Sequence, residues 1–286
     1  MVPQLAGPFF LNMQNYIKIK ISSSQEILEL IIALLSEEGF DGFEEINETL
    51  HAFIPENDFD ELKLKEILES FSISYSIEII APKNWNAEWE SNYEPVIVDD
   101  FVAVRAHFHE PITSVQHEII ITPKMSFGTG HHATTWQMIK LMQQVDFRNK
   151  RVFDYGTGTG VLAILAEKLG ATEVLAVDYD DLCIENSHEN IETNECSTIV
   201  IMKADAPPTD QLFDIVLANI NRHILLQNMK AMSQILIANG FLFVSGFYKE
   251  ENQLLIDEAT KNNLQLIQSS DRHNWSSLIF QKSAVQ

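Results

Sequence analysis

The sequence predicts a two-part α/β chain: a small α+β unit, then a doubly wound and mostly parallel sheet. Three observations carry this reading. From Arg151 onward, short apolar segments alternate with helical patterns of roughly 9 to 17 residues, the spacing of a parallel sheet covered on both faces. Residues 16–80 instead read strand, helix, two strands, helix, strand. Where the alternating part begins, Asp154-Tyr-Gly156-Thr-Gly158-Thr-Gly160 has the form of a turn between the first strand and first helix of such a sheet.

In the first part, Tyr16–Ile21 alternates with Ile17, Ile19 and Ile21 on one face. Ser24 is the expected cap of a helix carrying Ile27, Leu28, Ile31, Leu34 and Leu35, which ends at Gly39. Strands are expected at 42–46 and 50–54, a helix at 59–70 and a strand at 73–80. This βαββαβ order predicts a ferredoxin-like sandwich over 13–81. It holds no titratable cluster or glycine loop, so recognition suits it better than catalysis. Residues 82–98 are expected to form a linker helix, with Trp85, Trp89 and Tyr93 on one face as packing rather than a ligand cage.

Residues 99–286 form the larger domain. Strands are expected at 101–106 and 118–122, then a loop through Phe127-Gly128-Thr129-Gly130-His131-His132 into a helix ending near Gln144. The alternating part then runs strand 151–155, helix 161–169, strand 173–178, helix 181–194 and strand 198–203. It continues with strand 213–218, helix 222–238, strand 240–246, helix 250–262 and strands 264–268 and 275–281. With no helix between them, the last two strands are expected to pair antiparallel at the sheet edge.

Composition sets the outer limits. The chain has 286 residues, 45% hydrophobic and 21% charged, which suits two soluble domains. No segment approaches the roughly 20 apolar residues of a membrane span. Met1–Asn12 carries no basic residue and no cleavage site, so no signal peptide is expected, and Met13 is the expected start. Cys183 and Cys196 are expected as reduced thiols, which points to the cytoplasm. With 41 acidic and 19 basic residues the net charge is −22, which disfavours naked nucleic acid and steers a basic protein inward. Solubility alone is the competing account of that charge. A monomer with no membrane association is expected. His107, His109 and His117 lack the cysteine or carboxylate partners of a metal centre, so no metal is expected.

The glycine turn and the acid beyond it indicate the ligand. Glycines allow positive φ and let a ligand lie against bare backbone, with the helix N-terminus behind it. Asp178 ends the next strand, about 20 residues on, as a carboxylate accepting two ribose hydroxyls does. A nicotinamide site needs glycine or alanine at the sixth position, where Val161 stands. Asp154 would oppose a pyrophosphate but suits a ligand with an ammonium group, such as S-adenosylmethionine. The expected cofactor is therefore S-adenosylmethionine. The upstream Gly128-Thr-Gly130-His-His-Ala133 also fits a dinucleotide pattern, but Asp146 after it falls in a loop, so it reads as a second wall of the same pocket. Asn219, at the end of strand 213–218, can accept an N–H from a substrate amine while its amide nitrogen touches the cofactor. A helix cap is the alternative role. The prolines that often follow such an asparagine in enzymes methylating nucleobases or glutamine are absent. His131, His132 and Asp205 are candidate bases.

Taken together, Phe127-Gly-Thr-Gly-His-His-Ala-Thr-Thr135, the 154–160 turn, Val177-Asp178 and Ala218-Asn219-Ile220 resemble the ribosomal protein L11 methyltransferase family, PrmA type. The resemblance runs from about Trp85 to the C-terminus, and its most specific element is the 127–135 loop. It implies a Rossmann-like class I methyltransferase domain whose last strand is antiparallel. It also implies that Thr135, Gly156, Asp178 and Asn219 contact S-adenosylmethionine, with Phe127, Gly128 and Thr129 folded over it and Asp154 and Gly158 in the turn. The activity implied is methylation of lysine ε-amines and the N-terminal α-amine of ribosomal protein L11, captured by the N-terminal domain. The family usually has proline where Ala133 stands and often threonine at His131, departures that bear on loop stiffness more than on chemistry. Rival readings are an RNA or small-molecule methyltransferase on the same domain, or a non-catalytic cofactor-binding adaptor.

Overall fold

A computed structural model describes residues 15–46, 49–81, 90, 92–124 and 127–284. Contacts divide the chain into residues 1–91 and 92–286. Residues before Met13, and Trp85 and Trp89, lie outside the described residues.

The first unit is a ferredoxin-like sandwich. Strands β1 (Tyr16–Ser22), β2 (Gly42–Ile46), β3 (Thr49–Pro55) and β4 (Tyr75–Ile80) form an antiparallel sheet in the order β2-β3-β1-β4. Helices α1 (Gln25–Glu37) and α2 (Glu61–Ser70) supply Leu28, Ile31, Leu35, Leu64 and Leu68 to the buried Ile17, Ile19 and Ile21 of β1. Ser24 holds the N-cap position of α1, but its side chain makes no cap bond; only its carbonyl accepts the first helical N–H groups. Helix α2 starts at Glu61 rather than 59, because the Asp60 carboxylate accepts the N–H groups of Leu62 and Lys63.

In the second unit, β5 (Val96–Val98) pairs antiparallel with β6 (Val102–Ala106), which pairs parallel with β7 (His117–Ile121). Part of the expected linker helix is thus a strand, because Val96–Val98 finds a partner ladder in β6. Helix α3 (Ala133–Met142) leads into β8 (Arg151–Tyr155), α4 (Val161–Lys168), β9 (Glu173–Asp178), α5 (Asp181–Thr193) and β10 (Ile199–Lys203). Next come β11 (Phe213–Asn219), α6 (Arg222–Gln234), β12 (Leu236–Tyr248), α7 (Asn252–Lys261), β13 (Leu264–Arg272) and β14 (Trp275–Lys282). Helix α6 stops four residues short of the expected 238, because Leu236 is already paired with Phe213 of β11.

The seven-stranded sheet has the order β10-β9-β8-β11-β12-β14-β13. β14 runs antiparallel to both neighbours, so α7 carries the chain over a gap one strand wide and the hairpin returns β14 into it. One apolar core packs α3 and α4 on one face, and a second packs α6 and α7 on the other.

The outer edge of β7 is closed by side chains. On α5 and its C-cap, Asn186, Asn190 and Asn194 recur every fourth residue and so stand on one face. Asn194 Oδ1 accepts the Ile120 N–H at 3.0 Å, and its Nδ2 donates to the Ile120 carbonyl at 2.6 Å. Asn190 Oδ1 accepts the Thr122 N–H at 2.7 Å and its Nδ2 donates to the Thr159 carbonyl at 2.8 Å. The amides thus replace a neighbouring strand. Asn190→Ala orphans the Thr122 N–H and the Thr159 carbonyl, which predicts a loss of about 1–3 kcal/mol per unpaired group. Urea unfolding tests it, and an unchanged midpoint would show that the ladder contributes nothing.

Candidate active site

At the carboxyl ends of the parallel strands lies a cavity of about 1180 Å³. Its floor is the glycine turn between β8 and α4, where Gly156 and Gly158 have φ of 74° and 57°. Neither position has room for a side chain: a Cβ on Gly156 would run into Ile220, and one on Gly158 into the Phe127 carbonyl. The Gly156 and Thr157 N–H groups both bond the Val177 carbonyl at 2.9 Å, which ties the turn to β9. The 127–128 segment is fastened on top. Thr159 donates its N–H to the Phe127 carbonyl at 3.0 Å and its hydroxyl to the Gly128 carbonyl at 2.8 Å.

Asp178, 6% exposed, lines one end of the cavity. Its Oδ2 accepts the Gly158 N–H at 2.9 Å and its Oδ1 the Asp180 N–H at 3.1 Å, so its orientation is set by backbone. Asn219 lines the middle, at the end of β11. Its Nδ2 donates to Thr135 Oγ1 at 3.2 Å, while its Oδ1 is buried with no partner among the described residues. At the far end stands Trp275, the first residue of β14. Its ring lies 4.6 Å from that of His132 and 4.3 Å from that of Tyr248, and Phe127 packs 5.2 Å from His132.

The residues expected from the sequence fall into two groups. Gly156, Gly158, Asp178, Asn219 and Phe127 line the cavity. Thr135 is fully buried behind Asn219, and Thr134 lines the wall in its place. Gly128 and Thr129 act through the loop itself, one bonding Thr159 and the other facing His131 Nδ1 at 3.0 Å. Asp154, expected beside a ligand ammonium group, is turned under the turn instead. It is 1% exposed, and the Thr157 hydroxyl donates to it at 2.7 Å. Among the candidate bases, His132 and Asp205 line the cavity and His131 does not. His132 Nδ1 accepts the Thr134 N–H at 3.4 Å as the cap of α3, and burial holds its pKa below the usual histidine value. With Nδ1 accepting that N–H, the proton of the neutral ring sits on Nε2, so the lone pair a base would use is engaged in the cap. Trp275 was not expected at the site: only the pairing of β14 with β12 brings it there.

This strand order, with a glycine turn and an acidic strand end beside one cavity, defines a Rossmann-like class I methyltransferase. Comparison with known proteins narrows the class. Residues 37–283 match the family model described as ribosomal protein L11 methyltransferase (PrmA), and the chain belongs to that family. It is 41% identical over 260 residues to the ribosomal protein L11 methyltransferase of Porphyromonas gingivalis, covering 88% of this chain and 90% of that one. It is 35% identical over 265 residues to that of Phocaeicola vulgatus, covering 90% and 94%. A solved ribosomal protein L11 methylase from Lactobacillus delbrueckii subsp. bulgaricus superposes with a TM-score of 0.63 at 27% identity, over 67% of this chain and all of that one.

Burial raises the pKa of Asp154 to about 7, with the Asp178 carboxylate adding to the rise and the Thr157 bond opposing it. A carboxyl whose folded pKa lies above its unfolded value binds more protons when folded. Its contribution to stability therefore falls as pH rises from about 4 to about 7, opposite to a salt-bridged acid. Asp154→Asn is expected to flatten that part of the stability–pH curve, measured as the difference from wild type in urea unfolding. Parallel curves for the two proteins would refute the assignment.

Proposed function

We propose that this chain transfers methyl groups from S-adenosylmethionine to amines of ribosomal protein L11, the lysine ε-amines and the N-terminal α-amine. The observation that carries the reading is Asn219: one end of its amide is anchored on Thr135, and the other is a buried oxygen without a partner at mid-cavity. A buried acceptor left open is costly unless a ligand donor meets it.

The residues present fit S-adenosylmethionine. Gly156 and Gly158 expose bare backbone, and Asp178 keeps lone pairs free for two ribose hydroxyls. Phe127 covers this floor, while Asp154 acts from below through Thr157. When bound, the cofactor supplies an electrophilic methyl on a sulfonium. The protein's part is to present a neutral amine. Asn219 Oδ1 accepts one amine N–H and so aims the lone pair. The rings of Trp275, His132 and Phe127 exclude water, which lowers the amine pKa and suits alkylated ammonium by cation–π attraction.

The order of strands supports this layout. Asp178 ends β9 and Trp275 begins β14, with β8, β11 and β12 between them. With ribose at Asp178, the acceptor slot falls at the Trp275 end. The βαββαβ unit would recognise the protein substrate, and the net charge of −22 suits a basic one. A monomer acting in the cytoplasm on a ribosomal protein completes the reading.

Two measurements test it. Methyl-labelled S-adenosylmethionine incubated with the protein and a ribosomal extract is expected to label L11; label in RNA, or in no protein, would sink the proposal. Asp178→Ala is expected to weaken cofactor binding by about 1–3 kcal/mol, the typical loss for hydrogen bonds to a charged group. Unchanged affinity in calorimetry would remove the ribose assignment.

A further inference from the structure

Helix α3 presents Met138, Ile139, Leu141 and Met142 to the core, all essentially fully buried. Gln137 sits among them with no exposed surface. Its Nε2 donates to the main-chain carbonyl of Trp275 at 3.2 Å, and its Oε1 has no partner among the described residues. An apolar residue of the same size would spare the fold a buried, half-paired amide. The bond that remains points at one place, the first residue of β14.

That place needs holding. The preceding turn residues, His273 and Asn274, are both left-handed, with φ of 49° and 67°. Trp275 follows directly and stands its ring between His132 and Tyr248. One residue on, the Ser276 carbonyl accepts from Ser245 Oγ at 2.8 Å, and Ser277 Oγ donates to Ser245 Oγ at 2.7 Å. Ser245 is the ladder partner of Asn219, and its carbonyl accepts the Ile220 N–H at 3.1 Å. The start of β14 is therefore referenced to the strand bearing Asn219 on one side and to α3 on the other.

We infer that Gln137 is a positioning residue: through the Trp275 carbonyl it sets the distance of the indole wall from Asn219, and so the width of the acceptor slot. The inference rests on the reading of Trp275 as the acceptor wall. Gln137 is fully buried and does not line the cavity, so its effect passes through the Trp275 wall to the protein substrate and leaves the cofactor end alone.

The test uses the intact protein, S-adenosylmethionine and L11. Gln137→Met conserves volume and removes the donor. It is expected to raise KM for L11 about tenfold, with cofactor affinity within about twofold of wild type. In a Trp275→Phe background the same substitution is expected to add little, because the two residues act through one wall. Gln137→Glu is a second variant: ionised it cannot donate, protonated it can, so its KM should approach wild type as pH is lowered. Additive effects of Gln137→Met and Trp275→Phe, or a KM unmoved by Gln137→Met, would overturn the inference while leaving the wall intact. A KM unmoved by Trp275→Phe would instead remove the wall and the inference with it.

Discussion

Two hydrogen bonds from one residue hold the site together. Thr159, in the glycine turn, gives its N–H to the Phe127 carbonyl and its hydroxyl to the Gly128 carbonyl. The roof of the cavity is thereby bolted to its floor. Gly158 is glycine because the Phe127 carbonyl occupies the space a Cβ would need. The Thr159 carbonyl is in turn taken by Asn190, whose other end holds Thr122 at the base of the roof segment. Backbone groups of the turn, the roof and the residue after β7 are therefore satisfied through Thr159 and Asn190, and loss of the Asn190 amide leaves the Thr159 carbonyl unpaired.

The antiparallel strand has a functional geometry. In a fully parallel sheet every strand presents its last residue to the ligand edge. Because β14 is reversed, it presents its first residue there, and that residue is Trp275. A large ring emerging from a tight turn stands opposite Asn219, where the parallel strands offer a small polar side chain. The same cavity thus has the Asp178 carboxylate at the β9 end and the Trp275 ring at the β14 end.

The two acids of the turn take different roles because their surroundings differ. Asp178 accepts two backbone N–H groups and meets the cavity. Asp154 lies beneath with the Thr157 hydroxyl and is pushed toward neutrality by burial. Keeping one of them close to neutral limits the repulsion between two carboxyls beside one glycine turn. The sequence pattern puts both acids in register with the turn and points both at the ligand, but only Asp178 lines the cavity.

Local chemistry made most of the fold legible in the sequence. Alternation in Tyr16–Ile21, the glycines at 156, 158 and 160, and the apolar strands 151–155 and 173–178 are short-range signals, and the elements stand where those signals put them. The boundaries that moved did so through distant partners: α6 ends early because Leu236 pairs with Phe213, and Val96–Val98 is a strand because β6 lies beside it. Gly156, Gly158, Asp178 and Asn219 could be placed at the cavity from the sequence because turn and strand-end positions recur in this architecture. Trp275 and Gln137 could not. The sequence by itself determined the elements and the glycine turn, since both depend on residues within a few positions of each other. Tertiary structure alone decided where Trp275 stands and what Gln137 holds, since both depend on residues brought together only when β14 closes against β12 and α3; it also decided that Asp154 is hidden beneath the turn, where β8 and α4 bury it.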